Sequence, residues 1–135
     1  MASTAAIRAR KTSARYYLFE DILWEMPGFA HLKQRRSLAD LHLLAGMVWA
    51  CEGSTLPIPS LRARRKNDSS YYIDGRIHLA PKHQSVGGLL HELAHALGHR
   101  DKLAHGPAFR NRCIRLYKVY GDWNGEVTWD KKGER

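Results

Sequence analysis

The chain has 135 residues, 44% of them hydrophobic, and a formal charge of +9 at pH 7. That length supports one modest core, and the composition excludes a fibrous, disordered or repetitive protein. No apolar run is long enough to span a bilayer, and the N-terminal MASTAAIRAR lacks the hydrophobic core of a secretory signal, so a cytoplasmic protein with no membrane partner is expected.

The positive charge is clustered at Arg8 to Arg15, Lys33 to Arg36, Arg62 to Lys66 and Arg110 to Lys118. Such clusters attract polyanions, which makes nucleic acid a candidate partner through phosphate neutralisation, although solubility alone accounts for them equally well. No nucleic-acid reading motif is recognisable, and aromatics are not interleaved with the cations as in a stacking platform. Cys51 and Cys113 are too few and too far apart for a zinc knuckle or a disulfide framework, and both fall in apolar helical patterns as buried thiols.

In chain order, residues 1–14 are small, polar and basic without periodicity, and read as a flexible basic arm. Residues 15–121 read as one domain. YYLFEDILWEM, Tyr16 to Met26, spaces Leu18, Phe19, Ile22 and Leu23 as in a helix that Pro27 and Gly28 stop. A second helix opens at Ser37, an N-cap with Asp40 three positions on, and sets Leu38, Leu41, Leu44, Ala45 and Val48 on one side before Gly53.

Between Leu56 and Ala80 the pattern changes to prolines, SLRARRK and YYIDGRIHL, with Asp74-Gly75 as the turn of a hairpin. A small, mainly antiparallel sheet of two or three strands is expected, with His78 and His83 as surface or satisfied polar histidines. Ser85 to Leu97 forms the next helix, closed by Gly98 as a left-handed residue. Gly106 and Pro107 open another, with Phe109, Cys113, Leu116 and Tyr120 as its apolar side. Residues 122–135 read as a C-terminal tail or a small hairpin about Asn124-Gly125, between Trp123 and Trp129.

The chemistry concentrates in HELAHALGHRDKLAHGPAF, His91 to Phe109. On a helix, His91 and His95 lie about one turn apart and project to the same side, where they can grip one zinc ion. Glu92 is rotated by about 100° from His91, off the metal but close to a water bound on it. There it can act as general base while zinc lowers the water's pKa and polarises the carbonyl under attack. Leu90, Leu93, Ala94 and Leu97 supply the opposite, buried face.

A catalytic zinc site takes three protein ligands and leaves a position open for water. Two continuations compete for the third ligand. HELAHALGHRD is similar to the short metzincin pattern, which puts Gly98 at the sharp turn and Asp101 on the metal. In the other, a longer excursion brings His105 to the start of the next helix. His99 is a weaker third candidate.

YYIDGRIHLAP, LLHELAHAL and HGPAF together resemble the SprT-like and Spartan-like zinc metallopeptidases, and look closer still to small, poorly characterised metallohydrolases of actinobacteria and their phages. The likeness covers about residues 55–120, and SARYYLFEDIL is similar to that family's N-terminal helix. The resemblance implies His91, His95 and His105 as ligands of one zinc ion per chain, with Glu92 as base. Physical reasoning agrees: an imidazole at a helix entrance can be held by packing on Phe109. Asp101, in contrast, lies between Arg100 and Lys102 in a loop, as a solvated residue or a partner to a ligand imidazole. No cysteine-rich zinc ribbon follows the catalytic segment, and no partner-binding motif of the larger Spartan-like proteins is present.

The expectation is an α+β, zincin-like domain that hydrolyses peptide bonds in a protein or peptide substrate. The strand Arg76, Ile77, His78, Leu79 and Ala80 is expected to offer its edge to an extended substrate. Arg76, His78 and Tyr117 are candidate donors to an oxyanion. Two other readings stand beside it: a non-catalytic, zinc-stabilised nucleic-acid-binding module, and a zinc hydrolase of a non-peptide amide.

Overall fold

Local signals open and close most of the helices in the computed structural model of the chain, which describes residues 4–67, 69–98 and 104–123. Ser37 accepts a hydrogen bond from the Asp40 backbone N–H at 3.1 Å and opens α2, Leu38–Glu52, which Gly53 ends with a left-handed φ of 66°. Ser85 does the same for Gly88 at 3.1 Å and opens α3, Val86–Leu97. Pro107 sits in the first turn of α4, Pro107–Tyr120, after Gly106. Gly98 ends α3 with φ −107°, so the expected left-handed residue is not there; its N–H bonds the Ala94 carbonyl instead.

The first helix is longer than expected. α1 spans Thr4–Trp24, so residues 4–14, expected as a flexible arm, form its first turns. Alanine, arginine and lysine are good helix formers, and once the Tyr16 to Leu23 segment is packed, propagation toward the N-terminus costs little. The segment carried no hydrophobic period; of its described side chains, Thr12 and Ser13 are half-buried and the others are exposed.

Asp74 and Gly75, with φ of 49° and 75°, turn the chain between β2, Tyr71–Ile73, and β3, Arg76–Leu79. β1, Ser60–Ala63, lies on the other side of β3, and the strand order is β1-β3-β2. Its pairing with β3 is parallel, Leu61 beside Ile77, while β2 pairs antiparallel. The sheet is therefore mixed rather than mainly antiparallel, because the chain leaving β1 crosses to the far side of β3 before the hairpin. The same order corrects the substrate-edge expectation: Arg76 to Leu79 is the central strand, hydrogen-bonded on both sides.

The architecture is α+β, with the sheet against α3 through the fully buried Ile77 and Leu79. The core joins these to Leu41, Leu44 and Val48 of α2, Leu89, Leu90 and Leu93 of α3, and Phe109, Leu116 and Tyr120 of α4. Cys113 is buried in it, whereas Cys51 is only half-buried. Two glycines let α3 enter this core. A Cβ on Gly88 would lie 2.0 Å from the His83 carbonyl oxygen, and one on Gly87 would lie 2.8 Å from that of Leu32. The short 3-10 turns Ala30–Lys33 and Pro81–His83 thereby clamp the start of α3 from two sides. No helix among the described residues is long and apolar enough to cross a membrane. The segment expected as a tail or hairpin lies outside the described residues beyond Trp123, which is buried with Arg36 stacked over its ring at 5.5 Å.

Candidate metal centre

Helical spacing on two elements assembles the site. On α3, His91 and His95 share a face, with ring centroids 5.0 Å apart. His105, one residue before the Gly106 cap of α4, brings its ring to 4.9 Å from His95 and 5.5 Å from His91. One ligand atom from each of the three lies within 4.8 Å of the others. Phe109 packs against all three rings, parallel to His95 at 4.1 Å and edge-on to His91 and His105 at 5.1 Å. Asp101 and His99 lie outside the described residues.

The opposite wall comes from α1, whose Ser13, Tyr16, Tyr17 and Glu20 recur at helical spacing and face the histidines. Glu20 is buried, and its Oε2 accepts three hydrogen bonds: from Tyr16 Oη at 2.5 Å, Tyr117 Oη at 2.7 Å and His91 Nδ1 at 2.8 Å. Ser13 Oγ pairs with His105 Nδ1 at 2.8 Å. Both contacts occupy the Nδ1 atoms and leave the Nε2 atoms for another partner. His105 Nε2 is buried with no partner in the protein. A buried polar atom left unmade is costly, and a ligand-ready imidazole whose other nitrogen is held by the protein is the arrangement a bound metal ion requires.

Electrostatics favour the same use. Burial, the His91 charge and the neighbouring His105 and Arg112 charges hold His95 down at about 3. Burial and the His91 charge hold His105 at about 4, against a small opposing pull from Glu20. Both are neutral at pH 7, with lone pairs available. Burial also pulls His91 down, but the hydrogen bond and charge of Glu20, with the charge of Glu92, outweigh it and leave it raised. Glu20 shows the complement: burial raises it, and the His91, Tyr16 and Tyr117 contacts bring it below its ordinary value.

Glu92 is 3% exposed, and burial, opposed by the His91 charge and aided by that of Glu20, lifts it to about 7. It lines two cavities, of about 450 and 360 Å³, that share Tyr17 and Ser70. The larger runs toward Lys82 and His83, and the smaller passes Tyr71, Tyr72, His95 and His105. Tyr17 lies parallel to the His91 ring at 5.9 Å and is half exposed.

Glu20, His91 and Cys113 form a second close group of candidate ligand atoms. Its members are already committed: Glu20 to three donors, and Cys113 to a buried position that pushes its thiol well up and keeps it protonated. Its contacts brace the histidine group and leave its own members already engaged.

The structure thus gathers His91, Glu92, His95 and His105, and separates them from the expected oxyanion donors. Tyr117 is buried with its hydroxyl on Glu20. Arg76 and His78 alternate with the core-facing Ile77 and Leu79, so they stand on the other face of the sheet, where His78 stacks on Tyr71 at 4.5 Å. Missed in the sequence were Ser13, Tyr17 and Glu20. One signal for Glu20 was available: a carboxylate on the apolar side of a helix, between Tyr16 and Leu23. His83 is a satisfied polar histidine, paired with Ser70 at 2.8 Å. No protein-family model, curated protein or solved structure matches the chain.

Proposed function

We propose that this chain is a zinc-dependent, zincin-like metallopeptidase, as its resemblance to SprT-like proteins implies. The observation that carries the reading is the convergence of three imidazoles, two with Nδ1 already held, beside a buried carboxylate of raised pKa. An all-imidazole donor set, two of its rings neutral at pH 7, suits zinc and leaves a coordination position for chemistry. When bound, zinc supplies Lewis acidity, lowering the pKa of water and polarising a carbonyl.

The chain's own residues do the rest. His91, His95 and His105 hold the ion. Glu92, with its pKa near 7, accepts the proton of the attacking water and can return it to the leaving amine. Tyr17, beside Glu92 in both cavities, replaces the three donors expected from sequence. Burial and the charges of Glu92 and Glu20 hold its phenol up at about 12, so it remains a hydrogen-bond donor to a developing oxyanion. β2, with its outer edge unpaired among the described residues and Tyr71 and Tyr72 on the smaller cavity, replaces β3 as the edge for an extended peptide.

The test pairs zinc per chain with hydrolysis of an unfolded protein substrate, products being identified by mass. Wild type should hold one zinc and cleave. Glu92→Gln should hold zinc and lose about 100-fold or more of the rate. His105→Ala should lose zinc. Undiminished cleavage by zinc-loaded Glu92→Gln would remove the general-base role. Steeply salt-dependent nucleic-acid binding by a wild type that cleaves nothing would favour the non-catalytic module instead.

A further inference from the structure

α1 has a second face that the metal centre does not use. Ser13, Tyr16 and Glu20 point inward, so the opposite side meets solvent, where a polar surface is the normal outcome. Here it is apolar in the middle. Leu18 and Ile22 are 63% and 59% exposed, the most exposed large hydrophobic side chains among the described residues, and Ile7 and Met26 extend the stripe to either side. Leu18 and Ile22, one turn apart, form the apolar centre that an interface on this face would cover.

Charge identifies the occupant. Arg10, Lys11 and Arg15 flank the stripe on its N-terminal half, and Asp21 and Glu25 on its C-terminal half, all exposed. Glu25 also pairs with the exposed Lys33 of its own chain, a contact that leaves the carboxylate at the surface. The face is basic at one end and acidic at the other, so it complements itself in a single orientation. A twofold axis passing Leu18 runs a second copy antiparallel. It sets Leu18 on Leu18, Lys11 level with Glu25, and Arg15 level with Asp21. A parallel pair would align like charges.

We propose that α1 pairs antiparallel with α1 of a second copy of this chain, forming an isologous dimer about Leu18. The 21-residue helix is about 31 Å long at ~1.5 Å per residue, and such a pair buries on the order of 1,000 Å², at the low end for specific association. An interface of that size fits weak, concentration-dependent association. Leu18 adjoins Tyr17, so the second helix runs along the rim of the cleft that Tyr17 lines. The inference is independent of the hydrolytic reading.

Sedimentation equilibrium of the full chain from low to high micromolar concentration tests it. Wild type should shift from one to two chains per particle. Leu18→Glu, an exposed change that leaves helix content and thermal unfolding intact, should remain single. Lys11→Glu and Glu25→Lys should each weaken association by about tenfold, and the double variant should restore it, since the swapped charges meet again across the axis. A wild type that stays single, a dimer indifferent to Leu18→Glu, or a double variant no better than either single one overturns the proposal. So does a single chain that cosediments with anionic lipid vesicles and loses that ability with Leu18→Glu, which would assign the stripe to a lipid surface.

Discussion

His91 and His105 face each other across the centre, and α1 holds each by a different kind of partner. His91 is buried and donates to a carboxylate that two tyrosine hydroxyls also satisfy. His105 is half-buried, touches a serine hydroxyl, and borders a cavity of about 240 Å³ that also contains Arg15 and Arg110. The deep side combines charge with a closed hydrogen-bond network; the shallow side has one neutral hydrogen bond and ring packing. A buried carboxylate behind an imidazole both orients it and strengthens it as a donor to metal, whereas a hydroxyl only orients it.

Phe109→Ala should have the largest effect, because this ring supports both sides at once. A loss of about 3–5 kcal/mol in thermal or denaturant unfolding is expected, with poor zinc retention after dialysis. Glu20→Gln separates the sides. It keeps the volume but removes the charge, and should cost about 1–3 kcal/mol and weaken zinc binding 10- to 100-fold by competition titration.

Acid sharpens the contrast. His91 is raised above its ordinary 6.5, while His95 and His105 stay neutral down to about 3 and 4. From pH 6.5 to about 4, zinc therefore displaces one proton, from His91, and its affinity should fall about tenfold per pH unit. Glu20→Gln lowers the His91 pKa and should move the start of that fall to lower pH. Ser13→Ala should leave it in place. Its own cost should be the smallest, about 0.5–1.5 kcal/mol with a few-fold loss of zinc affinity.

The parts of this site that were legible in the sequence are those set by neighbours within a few residues. Ser37, Ser85 and Pro107 mark helix starts because capping is local, and His91, Glu92 and His95 announce themselves by spacing on one helix. Asp74-Gly75 marked the hairpin, but not which strand lay in the middle, since β1 reaches β3 past β2. Glu20 was legible only as a carboxylate on an apolar helix side, and Ser13 not at all, because their partners lie 71 and 92 positions away. The extent of α1 was hidden because its first turns are small, polar and basic residues without an apolar period, and the Leu18, Phe19, Ile22 and Leu23 spacing that marks the helix begins only beyond them.

Those same separations determine when the centre can exist. α3 carries two of the candidate ligands and the candidate base, but the third candidate, His105, lies just ahead of α4, and the Tyr117 hydroxyl that steadies Glu20 lies on α4 itself, 97 residues beyond that carboxylate. A chain emerging from synthesis holds most of its helices before the two ends can meet. Contacts so distant along the chain form late, after their loop-closure entropy has been overcome. Metal uptake in refolding should accordingly lag behind the recovery of helical signal.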